Sequence, residues 1–501
     1  MNKLRAISLS FLAIFVVGHI TAQVFATGLN FDDAAYAKTP LKKSEIKRSY
    51  DVLPAKVDLK PYCPTPQQQG EYSTCVGWSI GYAACTISEG VAKHIKDKTA
   101  LNNMASSPEF VYAVGKSQQD AACNKGTLAD ETLVKLKGIR IPRKKDFRVF
   151  CSPSNALPFT KGDGVVISDF VKLFDNADPF ETRLKQIKKA LANNNSVVIG
   201  IKCFKSFKEA KEVWSGQQDV YMNGHAVCIV GYDDSFQGGA VDIMNSWGEA
   251  WGNNGFTKIK YADLASILKY AHEIKTDFST LQNSPTQIPE NNPIPSSKGL
   301  PTVDFTTAIS LKLADGAEMT VQKVQTEDRR GLKPVKATEM ATAEPEKKQA
   351  SSQYKTVKGY ASGTKYRVYI TLSEPVYLYV LGSDLTTHIT PLFPPDASIS
   401  PYISNKNATI ALPDEKWFIE MDDVKGKDFM LLLYSKKALE IDKLVKQWNS
   451  QTGTAAEKIQ KTMGSKLLPH TTLNLSANTM GFKTPLSIDS LILITLEIEH
   501  Q

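Results

Sequence analysis

Three short strings along the chain hold the residue types of a thiol-nucleophile site. They are Gln69-Gly70-Glu71-Tyr72-Ser73-Thr74-Cys75, Asn223-Gly224-His225-Ala226-Val227 and Asn245-Ser246-Trp247-Gly248. A cysteine attacks a carbonyl carbon as thiolate, and an ordinary thiol is mostly protonated at neutral pH. Two features are expected to lower the pKa of Cys75. Ser73 and Thr74 are N-cap types, and Trp78, Ser79, Tyr82 and Ala83 follow at helical spacing. Cys75 is therefore placed in the first turn of a helix, where unpaired N–H groups and the helix dipole favour an anion. The second feature is a proton acceptor, His225, from a distant part of the chain. Asn245 then accepts the other ring N–H and fixes the tautomer. Gln69 and the backbone N–H of Cys75 make a two-donor oxyanion hole. Each string alone is weak, because a lone cysteine is more often a small apolar core residue. All three in chain order, with a glutamine ahead of the cysteine, are specific.

These strings resemble the papain-like cysteine peptidases. The match runs through Gln69-Gly70 ahead of the nucleophile and through His225-Ala226-Val227, which opens a strand ending Val230-Gly231-Tyr232. It continues over Asn245-Ser246-Trp247-Gly248 and Trp251-Gly252-Asn253-Asn254-Gly255-Phe256. Ser107-Pro108-Glu109-Phe110-Val111-Tyr112 is similar to the start of the second large helix in bacterial members. The resemblance covers about residues 50–275. It implies Cys75 as nucleophile, His225 as base and acid, Asn245 as orienter, Gln69 as oxyanion donor and Trp247 as the ring shielding the His–Asn hydrogen bond. Cys123-Asn124-Lys125-Gly126 is similar to the family's Cys-Asn-Gly-Gly segment, whose backbone binds substrate, so Gly126 and Gly224 are placed beside the substrate. The chain also departs from the pattern. Tyr72-Ser73-Thr74-Cys75-Val76 lacks the upstream cysteine, the glycine and the following aromatic of the family signature. Lys125 stands where a glycine is usual. None of these changes removes a chemical group from the reaction.

A chain of 501 residues exceeds one hydrophobic core and implies at least two domains. The formal charge of +8 is dispersed, with no basic stripe interleaved with aromatics, so nucleic acid is not an expected partner. Residues 1–26 read as an export signal: Lys3 and Arg5, an apolar run from Ile7 to Val17, then Ile20-Thr21-Ala22 or Val24-Phe25-Ala26 as cleavage site. That run is short for a membrane span, and no stable span is expected after its removal. The chain is thus expected outside the cytoplasm: periplasmic, cell-surface or extracellular. Seven cysteines allow one reactive thiol and up to three bridges among Cys63, Cys85, Cys123, Cys151, Cys203 and Cys228, with no pairing selected. No Cys/His cluster has zinc spacing, so neither metal nor cofactor is expected.

Hydrophobic periodicity marks the helices and strands that carry these residues. A helical half runs from Cys75 to about residue 140, with further helix near Thr127–Leu136 and at Leu184–Ala192. Val197–Ile201, Ala226–Val230, Val241–Met244 and Phe256–Ile259 read as strands. The fold class is α+β, a two-lobed papain-like domain with Cys75 on the helical lobe facing His225 on an antiparallel β lobe. Residues 27–50 form a short pro or linker segment, too brief for the family's long helical propeptide, so latency would need another device. The peptidase domain is assigned to 51–275, a Pro-rich linker to 276–303 and a less defined strand and linker region to 304–354. A mainly-β accessory domain occupies 355–501, with strands around Tyr366–Ile370, Val376–Leu381 and Phe429–Tyr434 and a helix near 439–448. Tyr377-Leu378-Tyr379-Val380 and Pro391-Leu392-Phe393-Pro394 resemble a bacterial β-domain of unknown function. The leading expectation is a cysteine peptidase acting on protein or peptide substrates through a covalent acyl-enzyme. The alternative is a degenerate papain-like binding protein.

Overall fold

The computed structural model describes residues 25–45, 53–147, 162–278, 302–324, 353–476 and 479–501. Residues 1–24 of the expected export signal, Cys151 and the Pro-rich stretch 283–301 lie outside them. Among the described residues, no helix is long and apolar enough to cross a membrane.

The catalytic half packs helices against an eight-stranded antiparallel sheet among the described residues. Its strands lie in the order Arg140–Pro142, Gly164–Lys172, Leu268–Asp277, Val197–Phe204, Tyr221–Asp233, Ala240–Met244 and Phe256–Lys260, with Lys56–Asp58 added onto Tyr221–Asp233. The strand bearing His225 is buried on both faces from Gly224 to Tyr232, which is why Ala226–Val230 reads as a continuous apolar run rather than an alternation.

The helix that starts at Cys75 runs to Ala92, with a π-helical stretch from Trp78 to Cys85. Two glycines set its depth. A Cβ on Gly77 would meet the Pro108 carbonyl oxygen at 2.2 Å, and one on Gly81 would meet Val111 Cγ2 at 2.8 Å. The helix therefore lies almost in backbone contact with the helix Pro108–Gly115, which Ser107 caps through its hydroxyl. A buried ion cluster fixes the far end. Arg143 donates to both oxygens of Glu89, at 2.5 and 3.0 Å, and to Asp163 at 2.9 Å. Removing one partner of a buried pair strands the other's charge. Arg143→Ala leaves buried Glu89 with Lys93, which donates to it at 2.5 Å, and is expected to lower stability by about 3 kcal/mol, the low end for a broken buried pair, measurable as a shifted denaturant midpoint with unchanged m-value.

The second half is a sandwich of a seven-stranded and a six-stranded sheet, as far as the described residues go. Phe305, Val368, Ile370, Leu378, Val380, Leu432, Tyr434 and Ile494 from both sheets share one core. The strand Thr302–Leu313 is central to the smaller sheet, between Lys365–Leu372 and Met480–Ser487. On Val376–Ser383 the alternate residues Tyr377, Tyr379 and Leu381 face away from this core. They pack with the helices Ile441–Asn449 and Ala455–Met463. The two halves meet where Lys275 of the catalytic sheet lies over the rings of Tyr402 (3.8 Å) and Tyr377 (4.7 Å).

Five cysteines, Cys63, Cys75, Cys85, Cys203 and Cys228, are free and buried, and Cys123 is disulfide-bonded. The allowance for three bridges therefore shrinks: Cys63, Cys85, Cys203 and Cys228 are core thiols.

Candidate active site

Cys75 begins its helix with backbone N–H groups around its sulfur, and the Ala226 amide approaches Sγ at 3.5 Å. Ala226 follows His225 on the facing strand, so the two lobes close directly over the thiol. His225 Nε2 lies 2.8 Å from Asn245 Oδ1. That oxygen also accepts the Ser246 N–H at 2.8 Å, which fixes the amide's orientation. Since Oδ1 only accepts, Nε2 carries the ring proton. Nδ1, buried and without a hydrogen-bond partner among the described residues, keeps the lone pair that a base needs. The Trp247 ring stacks on His225 at 4.8 Å and 23°, with Trp251 and Phe207 edge-on or tilted behind it. Water is kept from the His–Asn hydrogen bond. The hydrogen bond to an imidazolium is worth about 1.5–3 kcal/mol. Asn245→Ala should therefore lower kcat roughly 10- to 100-fold while leaving KM nearly unchanged, as read by steady-state peptide hydrolysis.

Gln69 is held by the same loop that carries Asn245. Its N–H donates to the Ser246 carbonyl at 2.8 Å, its side-chain oxygen accepts the Ser246 hydroxyl, and its Nε2 donates to the Tyr72 carbonyl at 2.7 Å. One amide proton of Gln69 is thereby committed locally. The expected caps differ from the structure. Thr74 occupies the N-cap position but its hydroxyl makes no cap bond, and Ser73 instead donates to the Asn124 carbonyl at 3.0 Å. The Ser73 bond ties the start of the nucleophile helix to the Cys123–Gly126 segment.

The largest departure from expectation is a strap formed by the chain's own residues 25–31, which cross the cleft. Gly28 and Leu29 donate to the Gly224 carbonyl at 3.3 and 3.1 Å. Asn30 donates to the Thr127 carbonyl, and Thr127 donates to the Gly28 carbonyl, both at 3.0 Å. Gly126 and Gly224, placed beside substrate by the sequence, form the two rails. A Cβ on Gly126 would meet the Gly28 oxygen, and one on Gly224 the Leu29 oxygen, each at 2.2 Å. Lys125 contributes only its carbonyl, to the Asn30 amide at 3.1 Å, so its side chain does not obstruct the rail. Leu29 is 1% exposed and projects onto Gly200. Phe25 packs edge-on against Trp247, whose indole N–H donates to the Ala26 carbonyl at 2.8 Å. About 25 residues are thus enough to cover the site without a helical propeptide, because extended chain rises about 3.3 Å per residue.

Covering the thiol changes its chemistry. Burial pushes Cys75 up to about 12, although backbone N–H groups from Ala226, Val76, Cys75 and Gly28 work the other way. Burial likewise pulls His225 down to about 4, with the Asn245 bond opposing. The expected lowering of the thiol pKa is therefore absent in the covered state. Removing water outweighs the helix start, and the pair is thiol and neutral imidazole. The covered chain binds fewer protons at His225 than an opened or unfolded chain between pH 6.5 and about 4, so covering weakens as pH falls through that window. Asp33 adds to this only below that window: its carboxylate, held below the usual range chiefly by the Tyr270 hydroxyl, docks the helix that follows the strap until it is protonated. Hydrogen-exchange protection of Gly28–Asn30 should fall between pH 6.5 and 4 after correction for intrinsic rates.

Residues 59–274 match the papain family cysteine protease model, and this region is a divergent papain-like cysteine peptidase domain. An uncharacterized peptidase C1-like protein of Acanthamoeba polyphaga mimivirus is 28% identical over 115 residues, 22% of this chain and 35% of that protein. The match thus spans about a third of the length of that relative. Among solved structures, xylellain, a cysteine protease from Xylella fastidiosa, is similar at 18% identity and a TM-score of 0.39, covering 50% of this chain and 95% of that one. A procathepsin B from Trypanosoma congolense is similar at 14% identity and a TM-score of 0.40, covering 50% and 87%.

Residues 25–31 and Gly200 were missed from the sequence as parts of the site. The available signal was Leu29 and Phe31 alternating with the polar residues Asn30 and Asp32.

Proposed function

We propose that the chain is an exported cysteine peptidase, latent as folded, that cleaves peptide bonds through Cys75, His225 and Asn245. The observation that carries this reading is the oriented imidazole. His225 is proton-donating toward Asn245 and lone-pair-bearing at Nδ1, on the strand whose next amide touches the Cys75 sulfur.

Once substrate replaces the strap, the proton of Cys75 passes to His225 Nδ1 and the thiolate attacks the scissile carbonyl carbon. The oxyanion is held by the Cys75 amide and by Gln69. His225 then gives its proton to the departing amine, leaving an acyl group on sulfur. A water deprotonated by His225 attacks that thioester and releases the acid with the thiol restored. The strap itself is not placed for this chemistry. It runs parallel to the Thr127 rail, with the Gly28 and Leu29 N–H groups turned to the Gly224 carbonyl.

Export is part of the proposal. Signal cleavage after Ala22 would retain Phe25 and Ala26 over Trp247. A peptidyl ester mixed with the chain and quenched in acid within the first turnover tests the reading. Intact and peptide-level mass should place the acyl group on Cys75. A turnover-competent chain with no acyl group there, or with it on another residue, contradicts it.

A further inference from the structure

The strap does not end at the cleft. Its short helix Asp33–Lys38 seats Tyr36 on Tyr270 (4.4 Å between rings), and Thr39 donates to Asp130 at 2.6 Å, all within the catalytic half. Beyond Thr39 the strap joins both halves at once. The Pro40 carbonyl accepts from Lys172 at 3.0 Å and Lys42 donates to the Lys172 carbonyl at 2.9 Å, at an edge of the catalytic sheet. Between them Leu41 points its backbone the other way. Its N–H donates to Ser398 at 2.7 Å and its carbonyl accepts from Ser400 at 3.0 Å, both in the β-sandwich half. Two buried charged side chains follow and are met by the sandwich: Lys43 Nζ donates to the Pro413 carbonyl, and Asn405 Nδ2 donates to Glu45 Oε2, each at 2.5 Å. Lys43, Glu45 and Asn405 are all less than 9% exposed.

We propose that the C-terminal β-sandwich is the clasp of the latent state: it grips residues Leu41–Glu45, and access to Cys75 is controlled by whether that grip holds. The inference rests on reading Cys75 as the nucleophile. Its physical basis is effective concentration. The cleft segment makes only a few backbone bonds, and a flexible tether alone supplies about millimolar local concentration. Fixing the strap at the sandwich as well as at Tyr36 removes the freedom to swing out. Lys275, between Tyr377 and Tyr402, holds the two halves together beside the clasp. A force or ligand that separates the halves therefore also withdraws the partners of Leu41, Lys43 and Glu45. In this arrangement the second half of the chain is the sensing part of the peptidase.

The test uses the full chain with two clasp variants that leave the cleft segment untouched. Asn405→Asp sets a second carboxylate against Glu45, and Lys43→Met removes the donor to Pro413. The readout is the rate of Cys75 alkylation by iodoacetamide near neutral pH, mapped by peptide mass. Buried Cys63 and Cys228 serve as internal reporters of unfolding. Each clasp variant should alkylate Cys75 at least about tenfold faster than the parent, the scale of one lost charge-assisted bond, with Cys63 and Cys228 still protected. A variant in which Cys63 also reacts has unfolded, and the other variant then decides. Parental Cys75 rates in a folded clasp variant overturn the proposal. Fast Cys75 alkylation without peptide hydrolysis upholds the clasp and overturns the peptidase reading instead.

Discussion

Gly28→Val converts the covered chain into an open one and raises peptide hydrolysis roughly 100-fold. A Cβ at this position would sit 2.1 Å from the Ser73 carbonyl oxygen, a backbone atom next to the nucleophile helix. The neighbour cannot yield, because the Ser73 N–H is bonded to the Cys123 carbonyl at 2.8 Å and its hydroxyl to Asn124. Residue 28 must therefore lift away, losing its bonds to Gly224 and Thr127. Two such bonds are worth about 0.5–1.5 kcal/mol each, close to 100-fold at the upper end. Withdrawing Leu29 from its buried seat adds to the opening. The folding core is spared, since the substitution lies in the strap. Initial rates on a fluorogenic peptide, compared with the parent chain at equal concentration, check this. Parental rates in the variant would mean that the segment over Cys75 does not limit access.

In that opened background, Cys75→Ala should lower kcat/KM by about 10³-fold or more, a loss set by the missing covalent pathway rather than by folding. Alanine is smaller than cysteine and the best helix former, so it is accommodated in the first turn of the helix Cys75–Ala92. Unchanged thermal unfolding should accompany the loss. The residual rate should match that of a Cys75→Ala, His225→Ala double variant, because groups that act as one unit are not additive. Persistent hydrolysis by Cys75→Ala would move the nucleophile elsewhere.

The grouping of the site's side chains was legible in the sequence because it depends on side-chain identity at fixed local positions. Cys75, His225, Asn245, Gln69 and Trp247 are brought together, and Gly126 and Gly224 flank the cleft as rails. The strands that carry the base and its orienter were legible too, since two-sided burial writes itself as unbroken apolar runs. What escaped depends on long-range contact. Burial of Cys75 reverses its expected pKa direction, and that burial comes from residues 25–31, far away in sequence. Thr74 has the right type for a cap but not the geometry. Free thiols at Cys63, Cys85, Cys203 and Cys228 look the same in sequence as bridged ones. In the second half, Val376–Ser383 was legible from its apolar density. Thr302–Leu313 was not, since its place is set by partners at Lys365–Leu372 and Met480–Ser487.

In the reaction proposed above, one thiol, paired with His225 and covered by the chain's own strap, performs the attack. The most direct measure of this is the pH dependence of Cys75 alkylation in the parent and in Gly28→Val. The parent should react slowly at neutral pH and accelerate only toward the range to which burial pushes the thiol, about 12. The opened chain should react roughly 100-fold faster near pH 7, with a midpoint below that of an ordinary thiol and lost on His225→Ala. Superimposable profiles in the two chains would mean that the strap does not cover the thiol, and a midpoint indifferent to His225→Ala would mean that His225 is not its base.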